Sequence, residues 1–263
     1  MRFGKRCQKV RWLDETRFRC GSETFLTFGD AAGKLTAERL IQFDRLDSDS
    51  ERFVIAKTRA MVDRYEQVLT SDPPRHLVEL GIYRGGSVAF LNELVRPRCF
   101  LAVELDIAPR RTLDEYVARN TTISTYYGVD QADRRTLVEL VERHFPGPLD
   151  VVIDDASHFV AETRASFNVL FPRVRPGGLY LIEDWAWAHT SDERLHAGRT
   201  PLSVFVFELT VAAACGRGLI GALTIYPEFA VVRRGPAPLD ADTFDVSEVC
   251  GNEARQLLSR LGS

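Results

Sequence analysis

Between residues 75 and 234 the chain alternates short apolar runs with stretches whose apolar positions recur every three or four residues. The short runs predict buried strands, and the longer stretches predict amphipathic helices. His76–Leu80, Cys99–Glu104 and Thr122–Tyr127 are the first three predicted strands. Helices are predicted over Gly85–Val95, Arg110–Arg119 and Ala132–Phe145, the last with Leu137, Leu140 and Val141 on one side. Leu149–Ile153 and Leu179–Ile182 are the fourth and fifth strands. A helix over Ala161–Arg173 and a turn at Arg175-Pro176-Gly177-Gly178 separate them. A helix over Pro201–Cys215 precedes a sixth strand, Leu219–Tyr226. Pro227-Glu228 then leads straight into Phe229–Arg233, and so short a link allows only an antiparallel neighbour. Alternating elements closed by one antiparallel hairpin predict an α/β fold: a doubly wound, Rossmann-like, seven-stranded sheet.

The front of the chain is less regular. Thr16–Phe28 alternates around Gly21-Ser22, which predicts a short hairpin. Ser48 and Glu51 stand at capping-box spacing and predict a helix running to about Leu69. Val54, Met61, Tyr65 and Val68 would form its buried stripe, and Ser71-Asp72-Pro73-Pro74 ends it. Residues 1–74 therefore read as a cap, or a contact between copies in a homo-oligomer, laid on a core domain over 75–263. Beyond Gly235 the chain is Pro-rich and polar, then has a helical pattern over Asn252–Leu261.

Charge and composition narrow the classes. A net charge of -3 gives no reason to expect nucleic acid or an anionic membrane as partner. The basic start (Arg2, Lys5, Arg6, Lys9, Arg11, Arg17 and Arg19) lacks an apolar run, so it reads as a solvated face rather than a secretory signal. The most apolar window, Leu202–Leu223, is broken by Glu208 and Gly216-Arg217-Gly218 and reads as a core helix followed by a strand, not a membrane span. The cysteines, Cys7, Cys20, Cys99, Cys215 and Cys250, include no two at CxxC spacing. That argues against a zinc site or a disulfide framework and predicts reduced thiols in a cytoplasmic protein.

Candidate chemistry gathers at the ends of the strands. The fourth strand closes in Asp154-Asp155 with His158 just beyond, and the fifth closes in Glu183-Asp184. A parallel β-α-β unit sets these ends side by side, where ligands bind in such sheets. Acid pairs often cap helices and a lone histidine is usually structural. Two pairs on adjacent strands with His158 between them instead favour a metal-assisted site, since crowded carboxylates call for a cation. Asp154 points away from Asp155 across the strand, and either faces a cofactor or is structural. Trp185 and Trp187 either wall an acceptor pocket or pack as core or lid, and residues 186–200 form a polar loop placed to cover the site. The first strand runs into Glu79-Leu80-Gly81-Ile82-Tyr83-Arg84-Gly85-Gly86-Ser87, whose glycines allow close backbone approach to a ligand. Their spacing is not that of the dehydrogenase fingerprint, and no Walker A loop is present. Glu104 closes the second strand, placed to accept from ribose hydroxyls, with Asp106 as the competing candidate. Asp130, with Gln131 beside it, follows the third strand and could accept from an adenine amino group.

These positions resemble the class I S-adenosylmethionine-dependent methyltransferases over roughly Arg75 to Arg234. The segments Glu79–Ser87, Val152–His158 and Gly177–Asp184 are similar to those of the metal-dependent sugar O-methyltransferases of macrolide biosynthesis, of the macrocin and mycinamicin type, and of the related cephalosporin hydroxylase-like proteins. The resemblance implies an S-adenosylmethionine cofactor. Glu79, Gly81, Tyr83, Gly85 and Ser87 would lie at its methionine end, Glu104 at its ribose, Asp130 and Gln131 at its adenine, and Asp154 nearby. It implies a magnesium ion on Asp155, Glu183 and Asp184, with His158 as general base. The expected reaction is methyl transfer to a hydroxyl of a small metabolite, such as a sugar on a natural product. Two rivals remain: a metal-independent methyltransferase with His158 alone as base, and a non-catalytic nucleotide-binding scaffold.

Overall fold

The structure is a computed structural model that describes residues 9–28, 41–43, 45–190 and 198–249. From residue 76 onward the periodicities resolve into alternating strands and helices: β5 (His76–Leu80), α2 (Gly86–Val95), β6 (Cys99–Glu104), α3 (Arg111–Val117), β7 (Ile123–Tyr127), α4 (Arg134–His144), β8 (Leu149–Asp154) and α5 (Val160–Leu170). They continue as β9 (Val174–Glu183), a single-turn α6 (Trp187–Thr190), α7 (Ser203–Cys215), β10 (Ile220–Ile225) and β11 (Phe229–Arg234). Seven strands form one sheet in the order β10-β11-β9-β8-β5-β6-β7. The four central pairs from β9 to β7 are parallel, and β11 runs antiparallel between β9 and β10, as its three-residue link to β10 requires. None of the described helices is long and apolar enough to cross a membrane. The Asn252–Leu261 helix predicted from the sequence lies outside the described residues.

The period of two along each strand divides the core. Leu80, Val103, Val152, Tyr180 and Ile182 face α4, α5 and α7, whereas Leu77, Ile153, Leu181 and Phe229 face α1 (Arg59–Leu69), α2 and α3. On that second side lies a smaller sheet of β1 (Val10–Trp12), β2 (Arg17–Cys20), β3 (Glu23–Leu26) and β4 (Phe53–Val54). The predicted hairpin around Gly21-Ser22 is β2 and β3. Phe18 and Phe25 stack at 5.0 Å and both meet Phe90 of α2 edge-on, so the N-terminal segment shares one core with the large sheet.

Two predicted elements differ. The helix expected from Ser48 begins only at Arg59, capped by Thr58, whose side chain accepts from the Met61 N–H. The Ser48 hydroxyl instead accepts from the Val54 N–H at 2.9 Å, and Asp49 accepts from Glu51 and Arg52, so the apparent capping box is a turn that aims β4 at β3. Local capping chemistry lost to strand pairing. The predicted turn at Arg175–Gly178 lies inside β9, where the register against β8 jumps from Leu149↔Val174 to Val151↔Leu179. The surplus residues bulge out of the ladder and the strand continues.

Candidate active site

The sheet register fixes which side chains meet. Gly81 follows β5, Asp155 follows β8 and Glu183 ends β9, on three adjacent strands in one row. Alternation turns Glu79, Asp155 and Glu183 toward the face covered by the N-terminal segment and turns Asp154 to the other. The strand ends can approach because Gly81 has no side chain: a Cβ there would come within 2.1 Å of the Asp155 carbonyl oxygen, and its φ is +95°.

A cavity of about 410 Å³ opens over these ends. Gly81, Tyr83, Glu104, Asp130, Gln131, Asp155, Ser157, Phe159 and Arg199 line it. Glu104 Oε2 accepts from the Ile82 and Tyr83 N–H groups at 2.9 and 2.7 Å, which ties the glycine-rich turn to β6. The competing Asp106 is held by the Ala108 N–H and paired to Arg110 at 2.7 Å, and it does not line the cavity. Gln131 donates to Asp154 Oδ1 at 3.0 Å and accepts from the Ser157 N–H at 2.8 Å. Asp154 itself is buried, accepting from Ser166 at 2.7 Å and Tyr180 at 2.9 Å. Burial raises its pKa despite those bonds. Asp154 therefore reaches the cavity through Gln131 rather than directly. A larger concavity, about 610 Å³, lies at the opposite edge of the sheet among Pro146, Pro148, Pro172 and Pro236, away from the strand ends where parallel sheets bind ligands.

Glu79, Gly85 and Ser87, expected at the cofactor, do not line the cavity. Glu79 is fully buried, and neither carboxylate oxygen has a partner at hydrogen-bond geometry. Burial pushes its pKa up to about 8, against the opposing pull of Lys57 and a weaker one from Ser87. A buried carboxyl left without a partner in this way fits a cationic group such as the ammonium or sulfonium end of S-adenosylmethionine.

Beside the cavity, Asp155, His158 and Asp184 each present a ligand atom within 4.8 Å of the others. His158 Nε2 stands 4.0 Å from Asp155 Oδ1. The two carboxylates are hard oxygen donors of the kind that fits a magnesium ion, with the imidazole standing beside them. Non-glycine residues rarely adopt left-handed backbone, yet Tyr83 (φ 49°), His158 (φ 59°) and Asp184 (φ 52°) all do. Trp187 packs beside His158 with ring centroids 5.7 Å apart, whereas Trp185 anchors the loop by donating to the Tyr226 carbonyl at 2.8 Å and packing on the core.

Glu183, expected among the metal ligands, is placed differently. Its carboxylate is fully buried and accepts from Lys57 Nζ at 2.8 and 2.7 Å and from the Tyr65 hydroxyl. Lys57 also donates to Asp155 Oδ2 at 2.8 Å. Burial alone would lower the Lys57 pKa, but the charges of Asp155 and Glu183 outweigh it and the net shift is upward. Burial and the Asp155 charge push Glu183 upward while Lys57 pulls it down. At these distances the ion-paired form holds. Burial raises the Asp184 pKa, with His158 opposing and the Asp155 charge adding to the rise. Sequence reasoning missed Lys57, because it was placed inside a helix. The available signals were Thr58, which suits a helix N-cap one residue later, and an acidic cluster that required a counter-charge.

Residues 78–185 match the family described as a methyltransferase domain. Demethylmacrocin O-methyltransferase of Streptomyces fradiae is 52% identical over 71 residues, 27% of this chain and 17% of that protein. Mycinamicin VI 2''-O-methyltransferase of Micromonospora griseorubida is 49% identical over 80 residues, 30% of this chain and 18% of that one. Each match thus spans less than a fifth of the curated relative. Among solved structures, the MycE methyltransferase from the mycinamycin biosynthetic pathway, in complex with Mg and SAH, aligns at a TM-score of 0.51 and 24% identity. That alignment covers 75% of this chain and 55% of MycE. The O-methyltransferase TomG from Streptomyces achromogenes aligns at 0.52 with 15% identity, over 68% and 82% of the two chains. These structural likenesses bear on the fold alone. With the sheet order, the strand-end acids and the match in agreement, residues 78–185 form a methyltransferase domain, similar in sequence to that of the macrolide sugar O-methyltransferases.

Proposed function

We propose that this chain is a magnesium-dependent O-methyltransferase that moves a methyl group from S-adenosylmethionine to a hydroxyl of a small metabolite, with a sugar on a natural product as the favoured acceptor. One observation carries the reading: Asp155 both lines the nucleoside-sized cavity and belongs to the cluster with His158 and Asp184. A methyl donor in the cavity and an acceptor oxygen at the cluster would meet across one side chain. The names of the two curated relatives support transfer to oxygen. Residues 75–263 are read as the methyltransferase domain and 1–74 as its cap. Free Cys20, Cys99 and Cys215 accord with a cytoplasmic setting.

In this reading Glu79 receives the cationic methionine end, Glu104 the ribose, and Asp130 with Gln131 the adenine. Asp155 and Asp184 would hold the magnesium ion, which lowers the pKa of a hydroxyl bound to it and fixes its direction. His158 Nε2 takes the hydroxyl proton as the oxygen–carbon bond forms and the carbon–sulfur bond breaks, leaving the neutral thioether S-adenosylhomocysteine. Trp187, against the His158 ring, forms a wall for the acceptor.

The test is transfer of isotope-labelled methyl from S-adenosylmethionine to deoxysugar-bearing macrolide acceptors, with EDTA and with restored magnesium. EDTA should abolish turnover reversibly. His158→Ala should lower turnover by about 10²-fold or more while S-adenosylhomocysteine binding, followed by calorimetry, stays within a few-fold. Lys57 already neutralises part of the cluster, and this favours a second reading, metal-free transfer with His158 as the base. Turnover insensitive to EDTA would establish that alternative.

A further inference from the structure

Asp155, Glu183 and Asp184 crowd the ends of two adjacent strands, and such acids repel one another when ionised. The charge that opposes this comes from far along the chain. Lys57 lies in the short link between β4 and α1, 98 residues before Asp155 and 126 before Glu183. Its side chain is only 2% exposed, and Nζ donates to Asp155 Oδ2 and to both oxygens of Glu183. The Tyr65 hydroxyl donates to Glu183 from α1, and the Lys57 ammonium lies 5.6 Å from the centre of the Tyr65 ring. The link is itself fixed: the Ile55 N–H donates to the Leu26 carbonyl at 2.9 Å, and Thr58 caps α1. Lys57 thus engages one oxygen of Asp155 and leaves Oδ1 toward His158, within the three-residue cluster.

We propose that Lys57 is a positioning residue: a built-in counter-cation that assembles the acidic cluster before any metal enters and competes with an entering divalent cation for Asp155. The competition rests on the magnesium reading above; the assembly of the cluster does not. Two consequences separate this role from simple packing. Removing the ammonium leaves buried carboxylates uncompensated, which another cation, the uptake of a proton or the loss of a carboxylate relieves. It also frees Glu183 and removes a positive charge beside the metal site, so a divalent cation should bind more tightly.

The experiment uses the full chain, Lys57→Met, and the Lys57→Met/Glu183→Gln double variant. Mn2+ binding is measured by electron paramagnetic resonance, and melting is measured in EDTA and in saturating Mg2+. Lys57→Met should bind Mn2+ at least about tenfold more tightly than the unaltered chain. It should melt roughly 5 °C or more lower in EDTA and regain that loss in Mg2+. The double variant should recover part of the loss in EDTA alone, and it should fold even if Lys57→Met does not. Unchanged or weaker Mn2+ binding by soluble Lys57→Met would overturn the competition. A melting loss repaired by neither Mg2+ nor Glu183→Gln would overturn the counter-cation role. Failure of the unaltered chain to bind Mn2+ would count against the magnesium reading and against competition, while melting of the single and double variants in EDTA still judges the assembly role.

Discussion

Glu79 is the residue whose environment departs furthest from what its type prefers, a carboxyl fully buried without a hydrogen-bond partner. Its pKa stands near 8 in the folded chain against an ordinary 4.5. The folded state therefore holds a proton that the unfolded state releases as pH rises. Its contribution to stability is complete below about 4.5, declines as pH rises, and is lost once pH passes about 8. Glu79→Gln should remove this dependence: its melting temperature, compared with that of the unaltered chain from pH 5 to 9, should gain an advantage that grows with pH. A constant offset would mean that Glu79 is ionised throughout. At this scale the sequence was informative about residue type and poor on direction. The acids closing each strand were legible because polar residues ending apolar runs stand out. Which neighbour each carboxylate turns to depends on the strand alternation and on side chains from elsewhere, and so Asp154 stayed open between a cofactor contact and a structural role, and Glu183 was read as a metal contact, although they bond to Gln131 and Lys57. The left-handed backbone of Tyr83, His158 and Asp184 was not legible either, since none of these positions is itself a glycine.

The junction of β5 and α2 shows how an element's end sets the site. Gly81→Ala would force a Cβ against the Asp155 carbonyl at 2.1 Å, in backbone that L-residues avoid. The expected cost is about 2–3 kcal/mol of stability, read by denaturant titration, with S-adenosylhomocysteine affinity reduced at least about tenfold. A neutral outcome would mean that the β5 and β8 ends are free to separate. The large sheet was legible as elements because each buried strand is an apolar run bounded by turn residues, and His76–Leu80 and Cys99–Glu104 fall where the pattern puts them. Elements settled by partners were not. Val54 has helical spacing to Met61 and Tyr65, yet β4 pairs with β3 and the helix starts at Arg59. Pro176-Gly177-Gly178 has turn chemistry, yet strand pairing on both sides carries β9 through it.

At the scale of the molecule, the N-terminal sheet and the large sheet share one core. Phe18, Phe25, Phe53 and Tyr65 pack with Phe90, Phe100 and Phe229. A chain reduced to residues 75–263 would expose that face of α2 and the sheet, so it should aggregate or melt without cooperativity in calorimetry. A cooperative transition close to that of the whole chain would show that the cap only rests on an independent domain. The sequence suggested a cap but not its intimacy, because contacts between distant segments leave no periodic trace. One of those contacts is backbone on backbone: a Cβ at Gly86 would lie 2.1 Å from the Val54 carbonyl oxygen. That contact sets the boundary for recombination. A chimera that joins this methyltransferase domain to the front segment of a relative would inherit a foreign seam at the start of α2, so crossovers that preserve the site belong before Ser48, not at the prolines that seem to divide the chain.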